Sequence, residues 1–243
     1  MNQGINGKLI TLITNLENNM KAIVLTYDKN AHFTELVYKM YMKLWPDCPF
    51  TFQIPWNKHK RSYFENKPNI SLIHCPQSIQ STMQSLLKSC DDEEWVYWCI
   101  DDHCPIKIDT LRLNNILSHL HLLKDYDFVR LNYPRDTQKF PNPKPLIPVK
   151  LIKNEPAFLQ CHSYHLGFWN HHFIKVKILK YVFSSDFSDI SCFNKLIRED
   201  NILYFTRGIF PETTPRQSIE TMIDGLPTEL GMKYLNNMNV SIT

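Results

Sequence analysis

The sequence predicts an α/β fold, with helices on both faces of a mixed, mostly parallel sheet. Over the first part of the chain, short apolar runs alternate with segments of helical periodicity, which is the pattern of βαβ units. The chain has 243 residues, 43% of them hydrophobic and 21% charged, so it can bury a core of domain size. We expect an N-terminal extension over residues 1–20 and a single domain over residues 21–243.

The individual elements follow from local patterns. Residues 22–26 are apolar and partly β-branched, as expected of a buried first strand, and Phe33, Leu36 and Met40 recur at helical spacing over residues 31–44. The same reasoning predicts strands at residues 50–54, 70–74, 95–100, 127–133, 158–164 and 202–205, helices at residues 79–90, 110–123, 173–179 and 184–199, a proline-rich loop at residues 134–156, and a surface tail from residue 211.

Two adjacent acids follow the strand at residues 95–100, which is both apolar and aromatic. These acids are Asp101 and Asp102, and Asp28 follows the first strand in the same way. Ligands of open α/β sheets bind outside the carboxyl ends of the strands, so we expect all three acids at one edge. Carboxylate oxygens, with water and phosphate, suit Mg²⁺ or Mn²⁺, so we predict a metal site. The alternative is an acidic turn that caps the following helix.

Composition and missing motifs exclude several classes of protein. The six glycines form neither GxGxxG nor a P-loop, and the sequence contains no GxSxG and no His-Asp pair. A net charge of +3 argues against nucleic-acid binding by a strong basic field. Seven cysteines without CxxC spacing indicate reduced thiols. With no apolar run of about 18 residues, we expect no transmembrane segment and a location in the cytoplasm or at the inner face of a membrane.

The acid after the first strand and the run Asp101-Asp102-His103 after the apolar strand resemble the nucleotide-sugar domain of GT-A glycosyltransferases, which is Rossmann-like. Residues 166–174 resemble the turn into a helix of bacterial and large-virus members, and the likeness covers residues 20–210. In that family a DxD-type motif holds a divalent cation against the donor diphosphate. The resemblance implies Mn²⁺ or Mg²⁺, a UDP- or GDP-sugar donor, and a glycan or lipid-linked acceptor. The motif here ends in His103, which leaves open which of Asp101, Asp102 and His103 ligate the metal.

The resemblance also implies which residues contact the donor. These are Thr26, Tyr27, Asp28, Arg61, Asp101 and Arg130. The Tyr27 ring would stack on the base, and Asp28 would accept a hydrogen bond from the base or the ribose. Either Arg130, on a predicted strand, or Arg135, in the loop after it, would counter the diphosphate charge. The basic run at residues 58–61 would meet the diphosphate or an acidic acceptor, unless it is a solvated loop.

An inverting transfer, which is our expectation here, needs a carboxylate base to take the proton of the acceptor hydroxyl. Asp186 and Asp189 stand where relatives carry an acid, so both are predicted catalytic residues. Asp186 ranks first, and Glu199 stands behind them. The alternative for each is a helix cap or a surface acid.

Three other functions fit parts of the sequence. A nucleotidyltransferase would use the same acids, but the glycine-rich phosphate loop it usually needs is missing. A non-catalytic nucleotide- or glycan-binding module would bind without turnover. A structural zinc site would draw on residues between 161 and 172, whose spacing fits no standard zinc pattern. Those residues are Cys161, His162, His165, His171 and His172.

Overall fold

The computed structural model describes residues 20–131, 147–151, 158–162, 169–184, 207–211, 214–223 and 226–241. The strands, in chain order, are β1 (Met20–Leu25), β2 (Phe50–Trp56), β3 (Ile70–His74), β4 (Trp95–Ile100), β5 (His103–Ile108), β6 (Phe128–Arg130), β7 (Ile147–Val149), β8 (Phe158–His162), β9 (His172–Lys175), β10 (Arg207–Pro211), β11 (Arg216–Glu220), β12 (Met222–Ile223) and β13 (Leu226–Pro227). The α-helices are α1 (Ala31–Leu44), α2 (Ile79–Leu87), α3 (Thr110–His119), α4 (Val176–Val182) and α5 (Glu229–Asn237).

In the described residues, nine strands form one mixed sheet in the order β3-β2-β1-β4-β9-β6-β10-β8-β7. Strands β3, β2, β1 and β4 are parallel, β9 runs antiparallel between β4 and β6, and β8 is antiparallel to both β10 and β7. Since β6 and β10 are parallel, every strand except β9 and β8 points the same way. The predicted mixed, mostly parallel α/β sheet is therefore confirmed.

Helices pack on both faces of this sheet because alternate strand residues are apolar on both sides. Ala22 and Val24 face a core built with α1, α3 and α5, whereas Ile23 faces a second core built with α2 and α4. Tyr97 and Trp98 divide between the two cores in the same way, and neither is exposed. The predicted helix over residues 31–44 has the observed bounds of α1.

The central pair of strands fixes the position of the acids. Strands β1 and β4 are parallel neighbours, and Leu25 pairs with Ile100. Both strands end at this pair, so Thr26 and Asp101 leave the sheet side by side at its carboxyl edge. Convergence of acids that lie far apart in sequence thus follows from strand register alone.

The helix predicted from residue 173 is wrong at its start. Phe173 and Ile174 lie in β9, where they pair with both β4 and β6, and the helix begins only at Val176. All four residues of β9 are buried, and a short run buried on both faces has no alternation that distinguishes a strand from a buried helix.

The surface tail predicted from residue 211 is also wrong. Strand β11 pairs with β5, a strand that the sequence pattern did not predict, and the tail continues into α5. Arg216 and Thr221 are fully buried, and Leu235 belongs to the main core. The predicted helix at residues 184–199 and strand at residues 202–205 lie, apart from Ser184, outside the described residues. None of the described helices is long and apolar enough to cross a membrane.

Candidate functional site

A cavity of about 670 Å³ opens at the carboxyl edge of β1 and β4. Turns after the four parallel strands β1, β2, β3 and β4 form most of its wall, and residues in or next to α2, α4, β9 and β12 complete it. Its lining residues are Leu25, Thr26, Tyr27, Asp28, Lys29, Asn30, Asn57, Lys58, His59, Gln77, Ile79, Thr82, Ile100, Asp101, Asp102, Trp169, Phe183 and Met222. This combination of apolar walls and a few convergent polar groups is typical of a small-molecule site.

Asp101 is the most buried acid in the cavity, with 8% of its surface exposed. Its Oδ2 accepts a hydrogen bond from Thr26 Oγ1 at 2.7 Å. Thr26 Oγ1 in turn accepts a hydrogen bond from Thr34 Oγ1 at 2.7 Å. Burial raises the pKa of Asp101 to about 7, the Thr26 hydrogen bond opposes this shift, and the neighbouring Asp102 charge adds to it. Two threonines therefore fix the orientation of a carboxylate that has been taken out of water.

Asp102 shares the turn between β4 and β5, and its carbonyl is bound by a distant segment. Thr221 donates to Asp102 O from its N–H at 2.7 Å and from its Oγ1 at 3.0 Å. The Nη2 of Arg216 donates to His103 O at 3.2 Å. We call residues 216–221 the C-terminal brace, because they hold the backbone of the acidic turn.

The side chain of His103 lies against Asp102, with 2.8 Å between its Nδ1 and Asp102 Oδ1. His103 is not among the residues that line the cavity. Its contact orients the Asp102 carboxylate from the side. Of the three predicted metal ligands, Asp101 and Asp102 therefore line the cavity, whereas the His103 imidazole contacts Asp102 from outside it.

A buried hydrogen-bond chain holds the end of β4. The Nε2 of His171 lies 2.8 Å from Ile100 O, so it must be protonated and donate to this carbonyl. The Nδ1 of His171 then accepts from Tyr41 OH at 2.8 Å, and Tyr97 OH donates to Tyr41 OH at 2.7 Å. Burial, with the Arg216 guanidinium nearby, lowers the pKa of His171 well below its usual range, which keeps the ring neutral.

Asp28 connects two loops of the cavity wall. Its carboxylate accepts from the backbone N–H groups of Asn57 at 2.8 Å, Lys58 at 2.6 Å and His59 at 2.7 Å. Burial raises the pKa of Asp28, but these three N–H donors outweigh burial and lower it overall. Tyr27, beside it, keeps 48% of its surface exposed at the cavity.

The cavity brings together five of the positions predicted to contact donor or metal: Thr26, Tyr27, Asp28, Asp101 and Asp102. Arg61 lies on a neighbouring cavity instead, and its Nε donates to Glu35 at 2.6 Å. Arg130 ends β6, which β9 separates from β4, and it is not among the lining residues. The predicted catalytic residues Asp186 and Asp189 lie outside the described residues.

Sequence reasoning did not single out several residues that complete the cavity: Asn30, Asn57, Gln77, Ile79, Thr82, Phe183 and Met222. Asn57 and Gln77 follow β2 and β3, so the rule that placed Asp101 at the sheet edge could also have found them. Phe183 and Met222 carried no such signal, because they come from α4 and β12, far along the chain.

Asp101 and Asp102 offer carboxylate oxygens, the ligand type that Mg²⁺ or Mn²⁺ takes together with water and phosphate. Among the described residues, no lysine, arginine or histidine nitrogen lies within 4.0 Å of the Asp101 carboxylate, so a cation would supply its missing counter-charge. The same part of the chain contains no group of three or more His, Cys, Asp and Glu side chains suited to a metal. His171 and His172 hydrogen bond to backbone carbonyls, and the other predicted zinc ligands have no described side chains.

No protein-family model matches the chain, and a search of curated proteins finds no match. Interpretation of the cavity therefore rests on its geometry and chemistry.

Proposed function

We propose that the protein is a glycosyltransferase that moves a sugar from a nucleoside-diphosphate sugar to a glycan or lipid-linked acceptor, on a GT-A-like fold. The observation that carries this proposal is the pair Asp101 and Asp102 at the carboxyl end of β4, on one cavity with the exposed ring of Tyr27. The mixed α/β sheet and the acid after β1 agree with it. The cavity volume of about 670 Å³ lies in the range of small-molecule and cofactor sites.

The donor would lie across the ends of β1 and β4. Tyr27 offers an accessible aromatic face on which a nucleobase can stack. Since both oxygens of Asp28 already accept backbone N–H groups, Asp28 fixes the loop that follows β2. Lys29 and Lys58, which line the same cavity, supply positive charge for a diphosphate.

Asp101 and Asp102 would hold a Mn²⁺ or Mg²⁺ ion. The chemistry such an ion supplies is compensation of the negative charge on the leaving diphosphate. Thr26 keeps the Asp101 carboxylate in place, and His103 does the same for Asp102. The C-terminal brace holds the backbone carbonyls of Asp102 and His103, so the two carboxylates are positioned before any ligand binds.

The acceptor hydroxyl must lose a proton as it attacks the anomeric carbon, and we assign that task to Asp186 or Asp189. The supporting observation is indirect. Phe183 at the end of α4 lines the cavity, and Asp186 follows it by only three positions in the sequence.

A binding panel followed by a transfer assay tests the proposal. UDP-, GDP-, CMP- and dTDP-sugars are each added with and without Mn²⁺, and the thermal midpoint is measured for the wild type and for Asp102→Asn. Binding to the folded state raises the midpoint by mass action, so one nucleotide class should give a Mn²⁺-dependent rise that the variant loses. Asp91→Asn, an exposed acid before β4, is the matched control and should keep the rise.

No midpoint rise with any nucleotide sugar would contradict the proposal. A rise in the thermal midpoint with neither sugar transfer to a glycan acceptor nor hydrolysis of the donor would leave a binding module. Transfer of a nucleotidyl group in place of the sugar would identify a nucleotidyltransferase.

A further inference from the structure

A second cavity, of about 870 Å³, borders the first one. The two cavities share Asp28, Lys29 and His59 as a common wall. The rest of the second cavity is formed by the start of α1, by the loop at residues 60–63 and by Ser241. A ligand in this second cavity would therefore be separated from the first cavity only by the shared wall.

Both acids of the second cavity already have partners within the protein. Asp28 accepts three backbone N–H groups. Glu35 is 4% exposed and lies between two cations, with Arg61 Nε at 2.6 Å and Lys39 Nζ at 2.8 Å. Neither carboxylate is left to attract a positively charged ligand.

Among the described residues, the basic side chains on the same cavity have no comparable partners. Lys29 and His59 are exposed, and among the described residues no acid oxygen lies within 4.0 Å of either side-chain nitrogen. Lys60 Nζ lies 3.3 Å from Glu65, but these side chains are 42% and 44% exposed, and such pairs are weak.

We propose that the second cavity binds a phosphate or carboxylate group carried by the acceptor. A lysine ammonium recognises such oxyanions as a point charge, and two lysines, Lys29 and Lys60, line the cavity. The shared wall sets the anionic group next to the donor, as a transfer reaction requires. Anion binding rests on the charges just described, whereas its assignment to the acceptor rests on the proposed function.

The test is to titrate the full chain with inorganic phosphate and, separately, with glucuronate. Backbone amide NMR signals are recorded at each step of both titrations. Either anion should shift the amide signals of residues 59–63. Lys60→Gln should weaken that binding about three- to tenfold, the effect of losing one hydrogen bond that is exposed to solvent. Lys58→Gln, at a residue that lines only the first cavity, should weaken it less. Lys43→Gln, the same charge change at the far end of α1, should have no effect.

Binding of phosphate alone assigns the cavity to a phosphorylated acceptor, and binding of glucuronate assigns it to an acidic sugar. Absence of shifts at residues 59–63 with both anions, or equal affinity in Lys60→Gln and wild type, overturns the proposal. A parallel titration with UDP and Mg²⁺, observed at Tyr27 and Asn57, tests the donor site independently. If UDP and Mg²⁺ cause no amide shifts at Tyr27 and Asn57 but the anions still bind, the transferase assignment is wrong and the anion site stands.

Discussion

At the scale of single residues, the cavity contains two carboxylates, Asp28 and Asp101, that accept hydrogen bonds from other groups of the protein. Burying a charged group is costly unless it is hydrogen-bonded or paired. Burial raises the pKa of Asp101 to about 7; the charge of Asp102 adds to this shift, and the hydrogen bond from Thr26 opposes it. Asp28 has the opposite surroundings, with three backbone donors that lower its pKa. Two acids after neighbouring strands thus differ: Asp28 fixes a loop, whereas we propose that Asp101 binds a ligand.

The role of Asp28 predicts how stability depends on pH. Its pKa is lower in the folded state than in the unfolded chain, so its stabilising contribution is present above the unfolded value, about 3.9, and is lost as the pH falls through the folded value. Asp28→Asn should lower the free energy of unfolding by about 1–2 kcal/mol at pH 7, because an amide nitrogen cannot accept the N–H groups of Lys58 and His59.

Denaturant unfolding at a series of pH values between 7 and 3 measures this difference. The gap between wild type and Asp28→Asn should shrink in the acidic range, whereas Asp91→Asn should show no comparable gap. A gap that stays constant down to pH 3 would show that the charge of Asp28 is not what holds the loop.

At the scale of elements, the C-terminal brace links the acidic turn to α5. Thr221 donates to the carbonyl of Asp102, and its own carbonyl accepts from the backbone N–H of Thr228, the N-cap residue of α5. Gly231, in the first turn of α5, packs so closely that a Cβ there would meet the carbonyl oxygen of Thr221. Displacement of α5 should therefore be transmitted to Asp102.

Gly231→Ala tests this link. In an exposed helix position the substitution stabilises a protein by about 0.5–1 kcal/mol, but the contact with Thr221 should reverse the sign here and lower the free energy of unfolding by about 1–3 kcal/mol. Asn236→Ala, at an exposed position of the same helix, should be neutral or slightly stabilising. A Gly231→Ala protein as stable as wild type, with unchanged Mn²⁺-dependent nucleotide binding, would show that the brace does not control the turn.

The elements also show which patterns in the sequence carry structural information. Helix α1 was predictable because its apolar residues recur on one face, and β3 because it is short, apolar and bounded by turn residues. Strand β9 was not, because both of its faces are buried, with Phe173 in one core and Ile174 in the other. Arg216 and Thr221 were read as surface residues because they are polar. Their burial depends on backbone carbonyls at His103 and Asp102, which come close only in the folded chain.

At the scale of the whole molecule, parallel strand order is what assembles the candidate site. Strands β3, β2, β1 and β4 all end at one edge, which brings Asp28 and Asp101 to one cavity. This convergence was predictable from the alternation of strands and helices. The separation of Arg61 into the second cavity was not, since it depends on an ion pair with Glu35 in α1 that leaves no trace in local sequence.

Crystals grown with UDP and Mn²⁺ give the most direct test of the central claim, that Asp101 and Asp102 bind a cation together with a nucleoside diphosphate. We expect an anomalous manganese peak about 2.1 Å from a carboxylate oxygen of Asp101 or Asp102, with the diphosphate on the same ion and the base against Tyr27. The peak should be lost in Asp102→Asn. Nucleotide bound in the cavity with manganese elsewhere would contradict the claim. A manganese peak that contacts neither carboxylate in the wild type and persists in Asp102→Asn would also contradict it.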